Sequence, residues 1–195
     1  MAELVYTAIT SLDGYVADTD GGFDWAAPDE EVHAFVNDLE RGAGTYLYGR
    51  RMYETMRFWE TDPPGREAST VSADYAQLWR SADKVVFSTT LREVDTARTR
   101  LASRFEPDEV RRWKRAADAP LSIGGPGLAA AALRAGLVDE LRWIAVPVLV
   151  GGGTPWLPSG VRARLELTAD RRFSGGAAYR AYRVREERAT AGGRR

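Results

Sequence analysis

The chain of 195 residues contains no cysteine, one histidine (His33) and only two lysines, Lys84 and Lys114. Without thiols there is no disulfide, no thiolate nucleophile and no cysteine metal ligand. With one histidine, a transition-metal site would have to rest on carboxylates alone, and no such spacing is present, so no metal is expected. A Ser–His–Asp triad would need His33, and there is no G-x-S-x-G elbow. His33 lies off the apolar face of its helix and reads as a solvated surface residue. No apolar run approaches the ~20 residues of a membrane helix. The longest, Trp143 to Val150, reads as a buried strand. The opening "MAELVYTAIT" has neither a basic n-region nor a long apolar h-region, so no signal peptide is expected. Together with the missing cysteines this fits a cytoplasmic protein. The formal charge of -1 gives no footprint for nucleic acid or an acidic membrane.

What is present is ordinary for a globular domain: 44% apolar and 28% charged residues. The length suits one domain, expected over 1–187, with 188–195 an unstructured tail. "LVYTAIT" from Leu4, "TYLYG" from Thr45, "KVVFSTT" from Lys84 and "LSI" from Leu121 are short, apolar and β-branched, as buried strands are. Arg98 to Leu101 reads as a further brief strand. Helical stretches separate these strands. Pro28 followed by Asp29, Glu30 and Glu31 reads as a helix start. Val32, Phe35, Val36 and Leu39 then recur on one face. Ser72 is the expected cap of a helix carrying Tyr75, Leu78 and Trp79. "TDPPGREAST" reads as a loop. "PDEVRRWKRAAD" has proline and acids first and bases late. "DELRWIAVPVLVGGG" reads as one long strand ending in glycines. "RARLELTADRRF" and "AAYRAYRVREE" alternate with period two about Gly175-Gly176, an antiparallel hairpin. The fold class is therefore α/β: three layers, a mostly parallel mixed sheet with helices on both faces, and an antiparallel C-terminal hairpin.

Open α/β sheets bind ligands at the carboxyl ends of their strands. Three junctions there have suggestive residues. Gly49-Arg50-Arg51 opens a helix, where backbone N–H groups and arginine favour a phosphate, or it is only a tight turn. Ser88-Thr89-Thr90 offers hydroxyls to a ribose phosphate, or simply caps a turn. In "LSIGGPGLAAAAL", Gly124, Gly125 and Gly127 could let backbone approach a pyrophosphate, or could mark a sharp corner before a buried helix. The spacing is not that of the dinucleotide fingerprint. The three together make a nucleotide cofactor the leading reading. Two acids stand near these ends. Asp13, in "SLDG", is either a turn residue or an acid facing the crevice. Glu31 borders an apolar helix face, where its pKa would rise and let it donate a proton. Trp25, Phe23 and Trp59 could wall an apolar pocket.

The ordered set "TAITSLDGYVA", "YLYGRRMYE", "KVVFSTTL", "LSIGGPGLAAAAL" and "DELRWIAVPVLVGGGTPWLP" resembles the dihydrofolate-reductase-like superfamily. Within it, the match is to the reductase domain of the bifunctional riboflavin-biosynthesis deaminase–reductase. The resemblance spans about residues 3 to 185. It implies a dihydrofolate-reductase-like fold and NADPH as hydride donor. By that likeness Thr10 would lie near the nicotinamide, and Gly49, Arg50 and Met52 at the adenosine-side phosphates. Ser88 and Thr89 would meet the ribose phosphate or adenine, and Gly124, Gly125, Gly127 and Leu128 the pyrophosphate. Arg50 and Ser88 would favour a 2′-phosphate. Asp13 would lie at the substrate, with Asp13, Glu31 or a bound water as proton source. The chain departs from the pattern at Ile123, where riboflavin-type reductases carry a glutamate, and no deaminase domain is expected. "RSADKVV" offers Arg80 and Lys84 without a clear match to the arginine that grips folate. The implied function is an NADPH-dependent oxidoreductase acting on a small flat heterocycle or carbonyl compound. The alternative is a nucleotide-binding or dimeric interaction protein that keeps the fold without turnover. A homodimer is the expected assembly.

Overall fold

The computed structural model describes residues 1–61 and 69–185. Most of the expected loop after Thr61 and the expected tail lie outside the described residues. The main sheet has eight strands in the order β5-β4-β3-β6-β1-β7-β10-β9. β1 (Leu4–Thr10), β3 (Thr45–Gly49), β4 (Asp83–Phe87), β5 (Thr99–Ala102), β6 (Leu121–Gly124) and β7 (Glu140–Ala145) run parallel. β10 (Ala178–Arg185) is antiparallel to both β7 and β9 (Arg164–Arg172), and Gly176 turns the hairpin at φ 87. The parallel strands are apolar on both faces because helices cover both. Leu4, Tyr6, Ala8, Leu121 and Ile123 pack against Val110 of α5 (Pro107–Ala116) and Ala129 and Ala132 of α6 (Pro126–Arg134). On the opposite face Ile144 meets Val32 of α1 (Glu30–Glu40). There too Tyr46, Tyr48 and Val86 meet Tyr75 and Trp79 of α4 (Thr70–Ser81). The expected three-layer α/β architecture is present.

Several local expectations shift. α1 starts at Glu30, two residues later than the proline suggests, because Asp29 is its cap and the Asp29 carboxylate accepts from the Val32 amide. α4 is capped by Ser69, whose hydroxyl accepts from the Ser72 amide. The apolar run after Asp139 is not one strand. Pro147 cannot donate to a ladder, and the Val148 amide turns back to the Val146 carbonyl at 2.8 Å. β7 therefore ends at Ala145, and the chain passes through Gly151–Gly153 into β8 (Thr154–Pro155). β8 pairs with β2 (Tyr15–Ala17) in a small second sheet that the sequence does not announce. His33 is not a solvated residue. It packs between Trp59 and Tyr75, with both ring centroids 5.9 Å away, and burial lowers its pKa.

Candidate active site

Five strand ends line one edge of the sheet: β4, β3, β6, β1 and β7. Neighbouring strands lie roughly 4.8 Å apart, so these ends form a continuous row of junctions. The parallel order reverses around β1 and β6, which makes a topological switch point.

The first and third glycine junctions meet there. β3 runs into α2 (Arg50–Met56), and Met52 leans on the start of α6. A Cβ on Gly124 would come within 2.8 Å of the Tyr48 ring and 3.1 Å of Met52, and one on Gly125 within 3.2 Å of Met52. Gly125 also has φ 93, a conformation L-residues rarely hold. A Cβ on Gly49 would lie 3.9 Å from Leu128. Gly124 and Gly125 thus serve the corner itself. Gly127 differs: nothing lies within 4 Å of the position its Cβ would take. The helix it begins has no side-chain cap. The amides of Gly127 and Leu128 belong to the orphan donors of a helix start, at the positive end of its dipole.

The second junction is one strand further out. The Ser88 hydroxyl accepts from the amides of Thr90 and Leu91, at 3.1 and 3.0 Å, so it caps its own turn, while Thr89 is exposed. Beside it a cavity of about 350 Å³ opens between α2 and the following loop, lined by Tyr53, Arg57, Thr90, Arg92 and Asp95 among others. Arg50 is half exposed and paired with Glu54 at 3.1 Å. A larger cavity, about 590 Å³, opens at the opposite ends of the strands, beside Thr45, Lys84 and Leu121, away from every glycine junction.

Thr10 ends β1 fully buried. Its hydroxyl donates to the Ser11 carbonyl and accepts from the Trp143 indole N–H, both at 2.7 Å. Its carbonyl accepts from the Val146 amide. Its side chain is therefore a positioning element. Trp143 stacks on Trp156 at 5.8 Å and 10°. The Trp156 carbonyl accepts from the Tyr6 hydroxyl, and its amide donates to Gly14. These aromatics lock the loops on either side of the crevice. Assigning faces along β7 would bring Trp143 to the side of Thr10, but nothing local marks Trp156 as its partner. Of the aromatics proposed for a pocket wall, Trp25 packs with the β7 side whereas Trp59 belongs to the α4 cluster.

The two candidate acids are both hydrogen-bonded within the chain, and the expected rise in the Glu31 pKa is corrected. Glu31 does not sit in an apolar cleft. It accepts from the Ser174 hydroxyl and amide at 2.7 and 2.9 Å and pairs with Arg171 at 3.1 Å, and its pKa is lowered, first by the Ser174 hydroxyl. Asp13 is exposed. Its carboxylate accepts from the amides of Val150 and Gly151 at 3.2 and 2.8 Å. Hydrogen bonding, first from the Ser11 side chain, then from Gly151 and Val150, holds it below the ordinary carboxylate range. Both carboxylates act as acceptors in these bonds. Lys84 is enclosed and donates to the Trp79 and Ala82 carbonyls, and burial pushes its pKa down to about 8. It holds the α4–β4 corner and is not available to a folate tail. Among the described residues no group of acids and histidine could hold a metal, and no helix is long and apolar enough to cross a membrane.

The sequence signature of the RibD C-terminal domain matches residues 2–179. The chain belongs to that family. An uncharacterised Bacillus subtilis (strain 168) protein, YyaP, is 28% identical over 177 residues, covering 89% of this chain and 90% of that one. Among solved structures, a riboflavin biosynthesis protein of Shewanella sp. PV-4 superposes with a TM-score of 0.74 at 22% identity, covering 95% of this chain and 100% of that one. The deaminase/reductase of Thermotoga maritima gives 0.65 at 16% identity, covering 94% of this chain and 56% of that one. A dihydrofolate reductase of Enterococcus faecalis, complexed with NADP(H), gives 0.61 at 13% identity, covering 94% and 97%. The fold is therefore dihydrofolate-reductase-like. Within this RibD C-terminal family member, Ile123 is 1% exposed and packs in the core beneath α6. A glutamate there would be buried among apolar groups, so its replacement belongs with the packing of this chain.

Proposed function

We propose that the protein is an NADPH-dependent reductase that passes hydride to a small flat substrate held between the β1–β2 turn and the loop after β7. The observation that carries this reading is the open start of α6. Its free amides and dipole suit a pyrophosphate, and Gly127 leaves the approach clear. The line of junctions from β4 to β1 suits an extended dinucleotide, with the cavity beside Thr90 and Arg92 at its adenosine end. Arg50, whose partner Glu54 is itself exposed, can turn from an exposed surface pair to a 2′-phosphate at small cost. When bound, the nicotinamide supplies the hydride. The chain's own work is placement. The bonds from Trp143 to Thr10 and from Asp13 to Val150 and Gly151 fix both walls of the crevice. Asp13 and Glu31 are both engaged as acceptors within the chain, and on this reading the proton that completes the reduction comes from water. A second copy of the chain is the proposed partner. It would dock on the C-terminal hairpin, where Leu165 and Leu167 stand exposed on the edge strand β9.

The test is titration with NADPH and NADH, followed by acceptor-dependent NADPH oxidation. The expected result is micromolar NADPH binding that weakens at least about fivefold in Arg50→Ala, with NADH unchanged. Equal weakening of both would remove the 2′-phosphate role, and absence of NADPH binding would remove the reductase reading.

A further inference from the structure

We infer that the substrate of this crevice is an uncharged, flat, apolar compound and carries no phosphate or other anionic group. The inference rests on the reductase reading and narrows it. The substrate side is built from the segment after β1, residues 11–27, and the loop after β7, residues 146–161. These interlock: the Leu12 amide donates to the Val148 carbonyl, and a Cβ on Gly153 would strike the Ala17 carbonyl. No lysine or arginine occurs among the first 40 residues, and none between Arg142 and Arg162. The 11–27 segment carries four acids, Asp13, Asp18, Asp20 and Asp24. Binding an anionic substrate needs a cation or unsatisfied backbone amides.

The amide sites nearby are already filled by the chain's own carboxylates. Asp13 takes the amides of Val150 and Gly151. Asp18 takes those of Asp20 and Gly22. Asp29 takes Val32 at the start of α1, where Glu30 and Glu31 follow. The arginines on the adjoining hairpin do not help. Arg171 is paired with Glu31 and lies over Phe35 and Phe173. Arg172 stands on the edge strand, two strands beyond β7. Arg180, on β10, lies opposite Trp143, two residues back from the end of β7. What faces outward instead is apolar. Leu12 is 58% exposed, Phe23 48% and Leu149 72%, on these same two segments. Exposed large apolar groups on the segments that flank a site suit an apolar ligand.

The test uses matched pairs: a naphthoquinone and its sulfonate, and a pterin without and with a carboxylated tail. The chain has no thiol for a quinone to modify. Binding is measured by saturation-transfer NMR on the full protein, with and without NADPH, and NADPH binding is read on the same samples. The uncharged member should bind at least about tenfold more tightly than its anionic counterpart. Equal or tighter binding of the anionic member overturns the inference, and so does failure of every member to bind. If NADPH itself fails to bind, the reductase reading falls while the pairs still report on the crevice. In a second variant, Asp20→Lys with Asp24→Lys, both on the exposed rim, the discrimination should narrow several-fold. An unmoved ratio also counts against the inference. Leu149→Ser should weaken the uncharged member alone.

Discussion

Replacing Gly127 by glutamate separates a phosphate-binding helix start from a merely structural one. A Cβ there meets nothing within 4 Å. The residue lies in the first turn of α6, a nine-residue helix with no side-chain cap and no acid in that turn. A carboxylate in that turn interacts favourably with the dipole, by about 0.3–1 kcal/mol. Losing the glycine adds a similar amount. The variant should therefore be about 1 kcal/mol more stable, which for a chain of this size is a melting point about 2–4 °C higher. Its carboxylate would occupy the amides offered to pyrophosphate and would repel it. Like charges about 4 Å apart cost ~1 kcal/mol even at the dielectric of water and more at a protein surface. NADPH should bind at least about tenfold more weakly, ~1.4 kcal/mol. Gly127→Ala is the control, since it adds bulk without charge and should keep most of the affinity. Thermal melts and fluorescence titration on all three proteins decide the matter. A glutamate variant that folds with unchanged NADPH affinity would refute the assignment of α6 as the pyrophosphate site.

Three further outcomes are expected. Glu40 is buried, one of its carboxyl oxygens has no partner, and burial raises its pKa despite bonds from Ser122 and Thr7. The folded state then holds this proton more tightly than the unfolded one, so stability should fall as pH rises above the ordinary glutamate value, by about 1.4 kcal/mol per unit, until the folded pKa is passed. Glu40→Gln should flatten that slope in denaturant titrations across pH, and parallel curves would contradict it. Asp13→Ala should expose the Val150 and Gly151 amides to fast hydrogen exchange while leaving the core amides protected. In the wild type that protection should persist at pH values below the usual carboxylate range, because the pKa is lowered. Gly124→Ala should cost about 1–3 kcal/mol in chemical denaturation, because its methyl would meet the Tyr48 ring. A neutral result would mean that Met52 and Tyr48 can move aside.

The architecture was legible because buried parallel strands and capped amphipathic helices are local patterns. The β9–β10 hairpin likewise announced itself through alternation and a Gly-Gly turn. Where reading failed, the deciding partner was distant in sequence. Pro147 was visible, but the end of β7 depended on where the Val146 and Val148 amides turned. Asn37 and Glu40 lie inside α1's buried side because Thr7, Val71 and Asp74 meet them there. Glu31 stands four residues before Phe35 on α1, which by sequence alone suggests an apolar setting. The Ser174 hydroxyl and Arg171, some 140 residues later, reversed the direction of its pKa.

Asp13 shows how such a reversal bears on function. A carboxylate at the end of the first strand suits a proton donor when only its neighbours in sequence are known. In three dimensions it extends the pairing of β1 with the chain after β7. The Val146 amide bonds to Thr10, the Leu12 amide to Val148, and then the Asp13 side chain receives Val150 and Gly151. A protonated acid would be a poorer acceptor for two amides. The same bonds that hold the loop therefore keep the group ionised. On the proposed reductase reading, a residue fixed in that state would shape the substrate side and disfavour anions there, with proton delivery left to solvent.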